Sequence, residues 1–532
     1  MMTNETHYQY QLTDGQSNTM MLLLFIIKAI KLMTSLKRLS LICAICLGTF
    51  MATLDISIVN VALPTIQNDI HADMATLQWI VDAYALCLSA CILSSGPLSD
   101  RFGRKKVWLW GVIIFTLGSV ICAIAQQHEI LILGRIIQGI AAAALIPGAL
   151  SLITHAFPID IERVRIIGIW SSVSALSLII GPILGGVLVH ASGWASIFLI
   201  NIPIGILTVL LGWYGLSESA DPENVALDPL GQLTSMLGLG SLTYGLIEAG
   251  SVGWSHYRTV STLIAGIIFL VLFLMIEKRV QRPLLPLTLF KDRTFFQYNL
   301  SSFTLGFATY SNVFFIAFFL QKAQGWSALE TGWRMAPEFI AMALFSMSFG
   351  RLSSYFSVRK LMIYGFLFIA ISSCLLATLA TNSHYGITGS YLFVLGAGMG
   401  LSTPAIGALV MKSVPPSRSG MASATMNALR QTGMTMGIAL LGTLMVQQAI
   451  HYMVIQSQAL GISVNYIDIV GLVTENTTNS LDKDFVTLLP EAFNSGFAYA
   501  IATAGISCFV TLFIVLFPVK AKHKALTQQI TD

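Results

Sequence analysis

From Leu39 onward the chain alternates long apolar runs with short polar breaks. Each run is about 20 residues, the length an α-helix needs to cross a bilayer. The runs read as 41–62, 76–97, 106–125, 130–155, 164–190, 196–216, 229–249, 258–277, 295–320, 328–352, 360–381, 388–413, 419–449 and 494–518. This pattern predicts an all-α membrane protein with fourteen spans, an even number that leaves both ends of the helical core on one side. Ahead of them, Met20–Met33 is apolar but interrupted by Lys28 and Lys31. It is short for a span and lacks a small-residue cleavage site. It is expected to lie on the cytoplasmic leaflet, unless the true start is Met33. The stretch 450–493 reads as a polar, acidic, external insertion and not as a domain.

Cation placement checks this map. Lys37, Arg38, the Arg101–Lys106 cluster, Arg163, Arg165, Lys278, Arg279, Arg282, Lys291, Arg293, Arg351, Arg359, Lys360, Lys412, Arg418 and the tail lysines 520, 522 and 524 fall on one face. The other face holds Arg258, Lys322 and Lys483. Positive loops stay cytoplasmic, so both ends of the core are expected inside, in a multi-pass protein of the cytoplasmic (inner) membrane.

Composition agrees. Of 532 residues, 55% are hydrophobic and 10% charged, against about 25% charged in soluble domains. The cations are spread over short loops, so no nucleic-acid partner is expected. The seven cysteines lie in apolar runs and read as small core residues. No phosphate-binding GxxxxGK[ST] loop, metal-ligand cluster or nucleophile constellation stands out. Neither an enzyme nor a cofactor is expected, and an ion gradient is the expected energy source.

The segment GPLSDRFGRKK (Gly96–Lys106) is echoed in part 254 residues later: Gly96, Leu98, Ser99, Phe102, Lys105 and Lys106 correspond to Gly350, Leu352, Ser353, Phe356, Arg359 and Lys360. Gly168, Gly181 and Gly185 recur as Gly420, Gly433 and Gly437, at an offset of 252. Two unrelated segments with nearly one offset indicate a parallel repeat of six helices, an architecture that places a substrate path between the halves. The expected layout is an N-terminal extension at 1–38, a six-helix bundle at 39–216, two linker helices with flanking loops at 217–294, a second six-helix bundle at 295–518, and a cytoplasmic tail at 519–532. Asp100 has no acidic counterpart, because Ser354 stands in its place.

These residues resemble a known family. GPLSDRFGRKK is similar to the signature loop of the major facilitator superfamily. LDISIVNVALP (Leu54–Pro64) resembles the first-helix signature of its fourteen-helix drug:proton antiporter branch. LGRIIQG (Leu133–Gly139) is similar to the fourth-helix motif with its buried arginine, and GPILGG (Gly181–Gly186) resembles the fifth-helix antiporter motif. IFLINIPIG (Ile197–Gly205) also fits, whereas Ala195–Ser196 stands where the branch usually carries Arg–Trp. The resemblance covers about 39–520. It implies the major facilitator fold, with two pseudo-repeated bundles plus two inserted helices, and export of lipophilic, cationic drugs in exchange for protons. It also implies that Asp55 and Arg135 sit where the branch places its coupling acid and motif arginine.

Ionisable groups within spans are costly and point to function. At 1.5 Å per residue, Asp55 lies about 21 Å along the first span from its cytoplasmic start. Asp82 and Arg135 lie about 9 and about 8 Å in from the opposite face. The three are expected at similar depth, as a proton site. Burial favours a neutral carboxyl and a neighbouring arginine a charged one, so moving the arginine, or admitting a cationic substrate, changes proton occupancy. A permanent salt bridge joining helices one, two and four is the structural alternative. Glu338 and Arg430 lie about 15 and about 16 Å into spans ten and thirteen. They are expected either to pair across the cavity or, for Glu338, to meet a substrate cation, unless Arg334 neutralises it. Glu248 is expected at a solvated helix end.

Gating is expected at two places. Gly96, Asp100, Arg101, Gly103 and Arg104 form a loop in which Asp100 and Arg104 would latch one half to the other when the inside is closed. Gly181, Pro182, Gly185 and Gly186 give the fifth span a kink and a smooth packing face. The expected partners are a small-molecule substrate, protons and the lipid bilayer, with a periplasmic adaptor left open. The alternatives are a proton-coupled carrier for a defined anionic or neutral metabolite and, from another class, a membrane sensor or scaffold.

Overall fold

The computed structural model describes residues 14–220, 228–280, 283–285, 287–415, 418–460, 462, 464–475 and 483–517. Residues 1–13, Arg282 and the tail with Lys520, Lys522 and Lys524 lie outside these. The described chain is helical, with no strand among its described residues. We number the long helices α1 Asp14–Asp69, α2 Met74–Phe102, α3 Arg104–Ala123, α4 His128–Ala156, α5 Asp160–Ser192, α6 Ser196–Gly215, α7 Pro229–Val252 and α8 Tyr257–Glu277. The second set is α9 Arg293–Ala323, α10 (Ala328–Arg334 continued by Ala336–Tyr355), α11 Val358–Leu376, α12 Tyr385–Lys412, α13 Ser419–Ala459 and α14 Leu489–Leu516.

Twelve described helices are long and apolar enough to cross a membrane. α7 and the Ala336–Tyr355 part of α10 are helical where spans are expected, with 24 and 20 residues. Gln232 and Glu248 in the first, and Glu338 and Arg351 in the second, lower their mean hydropathy. The all-α membrane fold is therefore observed, and the count of fourteen spans stays an expectation.

The breaks follow local chemistry. Asp73 caps α2 by accepting from the Thr76 N–H at 2.8 Å, and Ser327 and Glu330 form a reciprocal capping box at the start of α10. Gly193 and Gly253 end α5 and α7 at φ of 75° and 92°.

Two expected boundaries move far, and the expected loop Gly96–Lys106 is helical on both sides of Gly103, with α2 running to Phe102 and α3 starting at Arg104. α1 begins at Asp14 instead of near residue 41 and runs through the Met20–Met33 stretch. α13 continues to Ala459, and the segment after it carries the helix Tyr466–Glu475, with Ile469, Leu472 and Val473 fully buried. This segment was expected to be a polar insertion. Its buried positions fall on one helical face that packs on α13 and α2, while Tyr466 and Ile467 stay exposed.

Packing repeats as the sequence does. Within α1–α6, α2 and α3 both pack on α4, α1 on α5, and α3 on α6. Within α9–α14, α10 and α11 both pack on α12, α9 on α13, and α11 on α14. Three seams join the sets: α2 with α13, α5 with α10, and α1 with α9. Gln321 of α9 donates to the Val61 carbonyl of α1 at 3.0 Å. A Cβ on Gly186 would press on the Ala328 carbonyl oxygen at 2.7 Å, and one on Gly442 of α13 would collide with the Gln78 side chain of α2. These contacts lie at the end away from Gly96–Lys106. Toward the loop end, Cβ atoms on Gly96, Gly168, Gly350 and Gly407 would meet nothing within 4 Å.

α7 and α8 pack on each other, and α7 also covers the α2–α13 seam. Gln232 of α7 donates to the Ala90 carbonyl of α2 at 2.8 Å. At its other end, the Ala249 carbonyl accepts from Gln447 of α13 at 2.8 Å.

Candidate functional site

The first half of the site is a buried polar cluster behind α1. Asp55 and Arg135 are 0% and 1% exposed, and the guanidinium Nη1 of Arg135 donates to Asp55 Oδ2. Gln138, one turn along α4 from Arg135, accepts from Arg135 Nη1 at 2.8 Å and donates to Asp55 Oδ1 at 3.1 Å. Asn201 of α6 donates to Asp55 Oδ1 at 3.4 Å. Ser119 of α3 accepts from Gln138 at 2.8 Å and from Asn201 at 3.1 Å. The Arg135 guanidinium carbon lies 4.5 Å from the Tyr84 ring centroid, a cation–π placement that keeps the charge in a dry site.

α2 enters this cluster through the Ile80 carbonyl, which accepts from Arg135 Nε at 2.9 Å. Asp82 does not enter it. That residue is fully buried, and neither carboxylate oxygen has a hydrogen-bond partner. Gln78, one turn earlier on the same face, packs on Gly442, so this face of α2 looks toward α13 and away from α4. Depth along the membrane put Asp82 level with Asp55 and Arg135, and helix rotation separates it from them.

The second half is a narrow cleft between the two sets of helices, with room for about one water molecule. Ser57 and Asn60 of α1, Tyr310 of α9, Phe339 and Met342 of α10, and Met399 of α12 line it. Tyr310 closes a π-helical turn at Gly306–Tyr310, and a second such turn follows at Phe319–Ala323. These turns rotate the ladder of α9 and re-aim its side chains, a device common at functional sites.

Glu338 precedes Phe339 and Met342 on α10. It is fully buried, and neither carboxylate oxygen has a partner. Arg430 does not pair with it. The Arg430 Nη2 donates to Asn427 Oδ1 at 2.7 Å, and its guanidinium lies 5.5 Å from the Tyr310 ring centroid. Arg334 does not neutralise Glu338 either, because its guanidinium lies 3.4 and 4.7 Å from the ring centroids of Trp326 and Tyr385. Glu248, expected at a solvated end, lies 3.7 Å from Arg258.

At the α2–α3 break, Arg104 Nε donates to Asp100 Oδ1 at 2.8 Å, four residues apart across Gly103. The expected tie to the other half is absent among the described residues in this conformation. Instead Glu218, after α6, accepts from the backbone N–H groups of Lys105 at 3.0 Å and Lys106 at 3.2 Å. The Lys105 ammonium donates to the Trp213 and Leu216 carbonyls at 2.8 and 2.7 Å. Gly103 holds φ at 101°, and a Cβ there would come within 2.7 Å of the Glu218 carboxylate. Arg101 is exposed.

In α5, Pro182 stays inside a continuous helix. Gly181 and Gly185 lie against Ser57 and Ile58 of α1, while Gly186 and the Pro182 carbonyl face Ala328 and Gly332 of α10. These small residues set both the α1–α5 approach and the α5–α10 seam. Ser119, Gln138, Asn201 and Glu218 were not singled out from the sequence. Gln138 and Asn201 sit inside the quoted motifs LGRIIQG and IFLINIPIG, which was the available signal.

Comparison with known proteins agrees with this architecture. The Major Facilitator Superfamily pattern matches residues 45–438 and 298–530. A methylenomycin A resistance protein of Bacillus subtilis is 32% identical over 424 residues, covering 79% of this chain and 90% of the relative. The multidrug resistance protein Stp of Mycobacterium tuberculosis is 35% identical over 399 residues, covering 75% and 74%. Among solved structures, a bacterial homologue of the human lysosomal transporter Spinster superposes with a TM-score of 0.63 at 19% identity, covering 90% of this chain and 98% of that one.

Proposed function

The chain belongs to the Major Facilitator Superfamily, and from that premise we propose that it exports lipophilic, cationic drugs or other toxic compounds in exchange for protons. It is a membrane transporter and not an enzyme. Relatives named for resistance to methylenomycin A and to multiple drugs support the cargo class. Protons are the coupling ion in this reading.

The observation that carries the reading is the two-sidedness of α1. Its Asp55 is bonded to Arg135 inside the first set of helices, and its Ser57 and Asn60 line the pocket between the sets. Movement of α1 against α4 alters how closely Arg135 holds the Asp55 carboxylate, and with it the cost of taking up a proton. Asp82 is a second proton site on the α2–α13 seam. Glu338 supplies the anionic partner for a cationic cargo, and Arg430 with Tyr310 shapes the pocket wall.

The proposed layout is a bundle at 39–216, the hairpin within 217–294, and a second bundle at 295–518, with the loop end cytoplasmic. In this arrangement the seams at the external end are closed and the pocket opens inward. Asp100–Arg104 is then the released half of a latch that engages when the inside closes, and the glycines of α5 are the surface on which the halves tilt.

The test is flux in proteoliposomes containing the purified chain. A cationic fluorescent dye should move against its gradient when a pH gradient is imposed, and stop when a protonophore collapses it. Dye movement that ignores the pH gradient removes the antiport reading.

A further inference from the structure

The hairpin of α7 and α8 ends, at its loop side, in two acids. Asp228 caps α7, its Oδ1 accepting from the Gly231 N–H at 2.8 Å. Glu277 is the last residue of α8, and its Oε2 accepts from the Leu285 N–H at 3.1 Å. The side chains are 6% and 3% exposed. The remaining oxygens, Asp228 Oδ2 and Glu277 Oε1, have no hydrogen-bond partner. They converge on one point, because a Cβ on Gly231 would press against both, the Glu277 oxygen at 3.0 Å.

Two buried carboxylates this close cannot both stay charged without a counter-charge. Among the described residues none supplies it. Lys278 and Arg279 follow Glu277 on α8 and are exposed, as are Lys291, Asp292 and Arg293 on the way into α9. On α2, which packs on α7, Arg104 of the adjoining loop is held by Asp100, and Arg101 is exposed. On α13 Arg430 is engaged by Asn427 and Tyr310. One free oxygen from each acid falls short of the six or more that a hard cation takes, and the described residues hold no cluster of three metal-binding side chains.

We propose that Asp228 and Glu277 share one proton in an acid–carboxylate hydrogen bond, making the base of the inserted hairpin a proton-binding site separate from the Asp55 cluster. The shared proton ties the chain entering α7 to the chain leaving α8 toward α9. The folded protein then holds a proton that the unfolded chain releases. A proton held only by the folded protein makes stability fall as pH rises.

Infrared spectra and thermal unfolding of the full-length protein in nanodiscs test this. The protonated-carboxyl C=O band of the pair should be present in the parent and lost in both E277Q and D228N. The parent's unfolding midpoint should fall with rising pH more steeply than that of E277Q, whose amide donates to Asp228 without titrating. D228N keeps a good helix cap and serves if E277Q fails to fold. Unchanged bands and equal pH slopes overturn the proposal. So does a midpoint restored at alkaline pH by calcium alone in the parent and not in E277Q, which would make the pair a cation site. Neither readout involves export, so this outcome is independent of the transport reading.

Discussion

Asp55 and Ser57 stand two residues apart on α1 and face opposite ways: Asp55 into the polar cluster on α4, Ser57 into the pocket between the two helix sets. The separation follows from the helix itself, since two residues turn the side chain through about 200°. One rigid rod thus carries the candidate proton group on its back and pocket-lining groups on its front.

Asp55→Asn should abolish uphill dye export while leaving the protein inserted. The change leaves the buried Arg135 without its counter-charge, a loss of about 3–5 kcal/mol for a broken buried pair. The variant should therefore also unfold at a lower temperature. Vesicle flux under a pH gradient, alongside a thermal melt of the same preparation, checks both. Export at the parent rate would remove Asp55 from the mechanism.

Glu338→Gln should weaken cationic cargo and spare neutral cargo. An unpartnered buried carboxylate offers a cation about 1.4 kcal/mol or more of recognition, equivalent to about tenfold in affinity. The measurement is the apparent KM for a cationic dye against that for a neutral lipophile. An equal change in both would make Glu338 a packing residue.

In a cysteine-free background, a short bifunctional thiosulfonate reagent should bridge Val61→Cys and Gln321→Cys through reducible disulfides, because the Gln321 side chain spans the gap to the Val61 carbonyl across the α1–α9 seam. Cross-linking should halt export, and reduction should restore it. A cross-linked protein that still exports would show that this seam need not open.

Gly103→Ala should destabilise the loop end. The positive φ costs an L-residue about 1–2 kcal/mol, and the new methyl collides with Glu218. Adding Glu218→Ala should recover the steric part only, so the double variant should be less destabilised than the two single changes together. Thermal melts of the four proteins measure the difference. Strict additivity would mean that Gly103 and Glu218 act independently.

Much of this fold was legible because a bilayer tolerates few patterns. Apolar runs of one length, cations on one face and a 254-residue echo leave little besides a repeated helical bundle. Depth brought Asp55 and Arg135 to one level, the resemblance singled them out, and the fold pairs them. Asp82 was misplaced because depth carries no information about rotation, and one helical turn of packing sets that face toward α13. Ser119, Gln138 and Asn201 were invisible to a search for charges, although their neutral dipoles complete the shell around Asp55. Asp228 and Glu277 were overlooked because each lies at a helix end, where an acid is usually solvated. Their burial depends on α7 and α8 folding back on each other. Tyr466–Glu475 was missed because ten residues in a polar stretch show too little periodicity to announce a helix.

α7 lies over the α2–α13 seam like a plank nailed to both sides, by Gln232 to Ala90 and by Gln447 to Ala249. Among the described helices none lies over the opposite seam, between α5 and α10, as α7 lies over this one. Parting α2 from α13 must therefore break one of these two bonds or drag the hairpin along, whereas parting α5 from α10 disturbs neither.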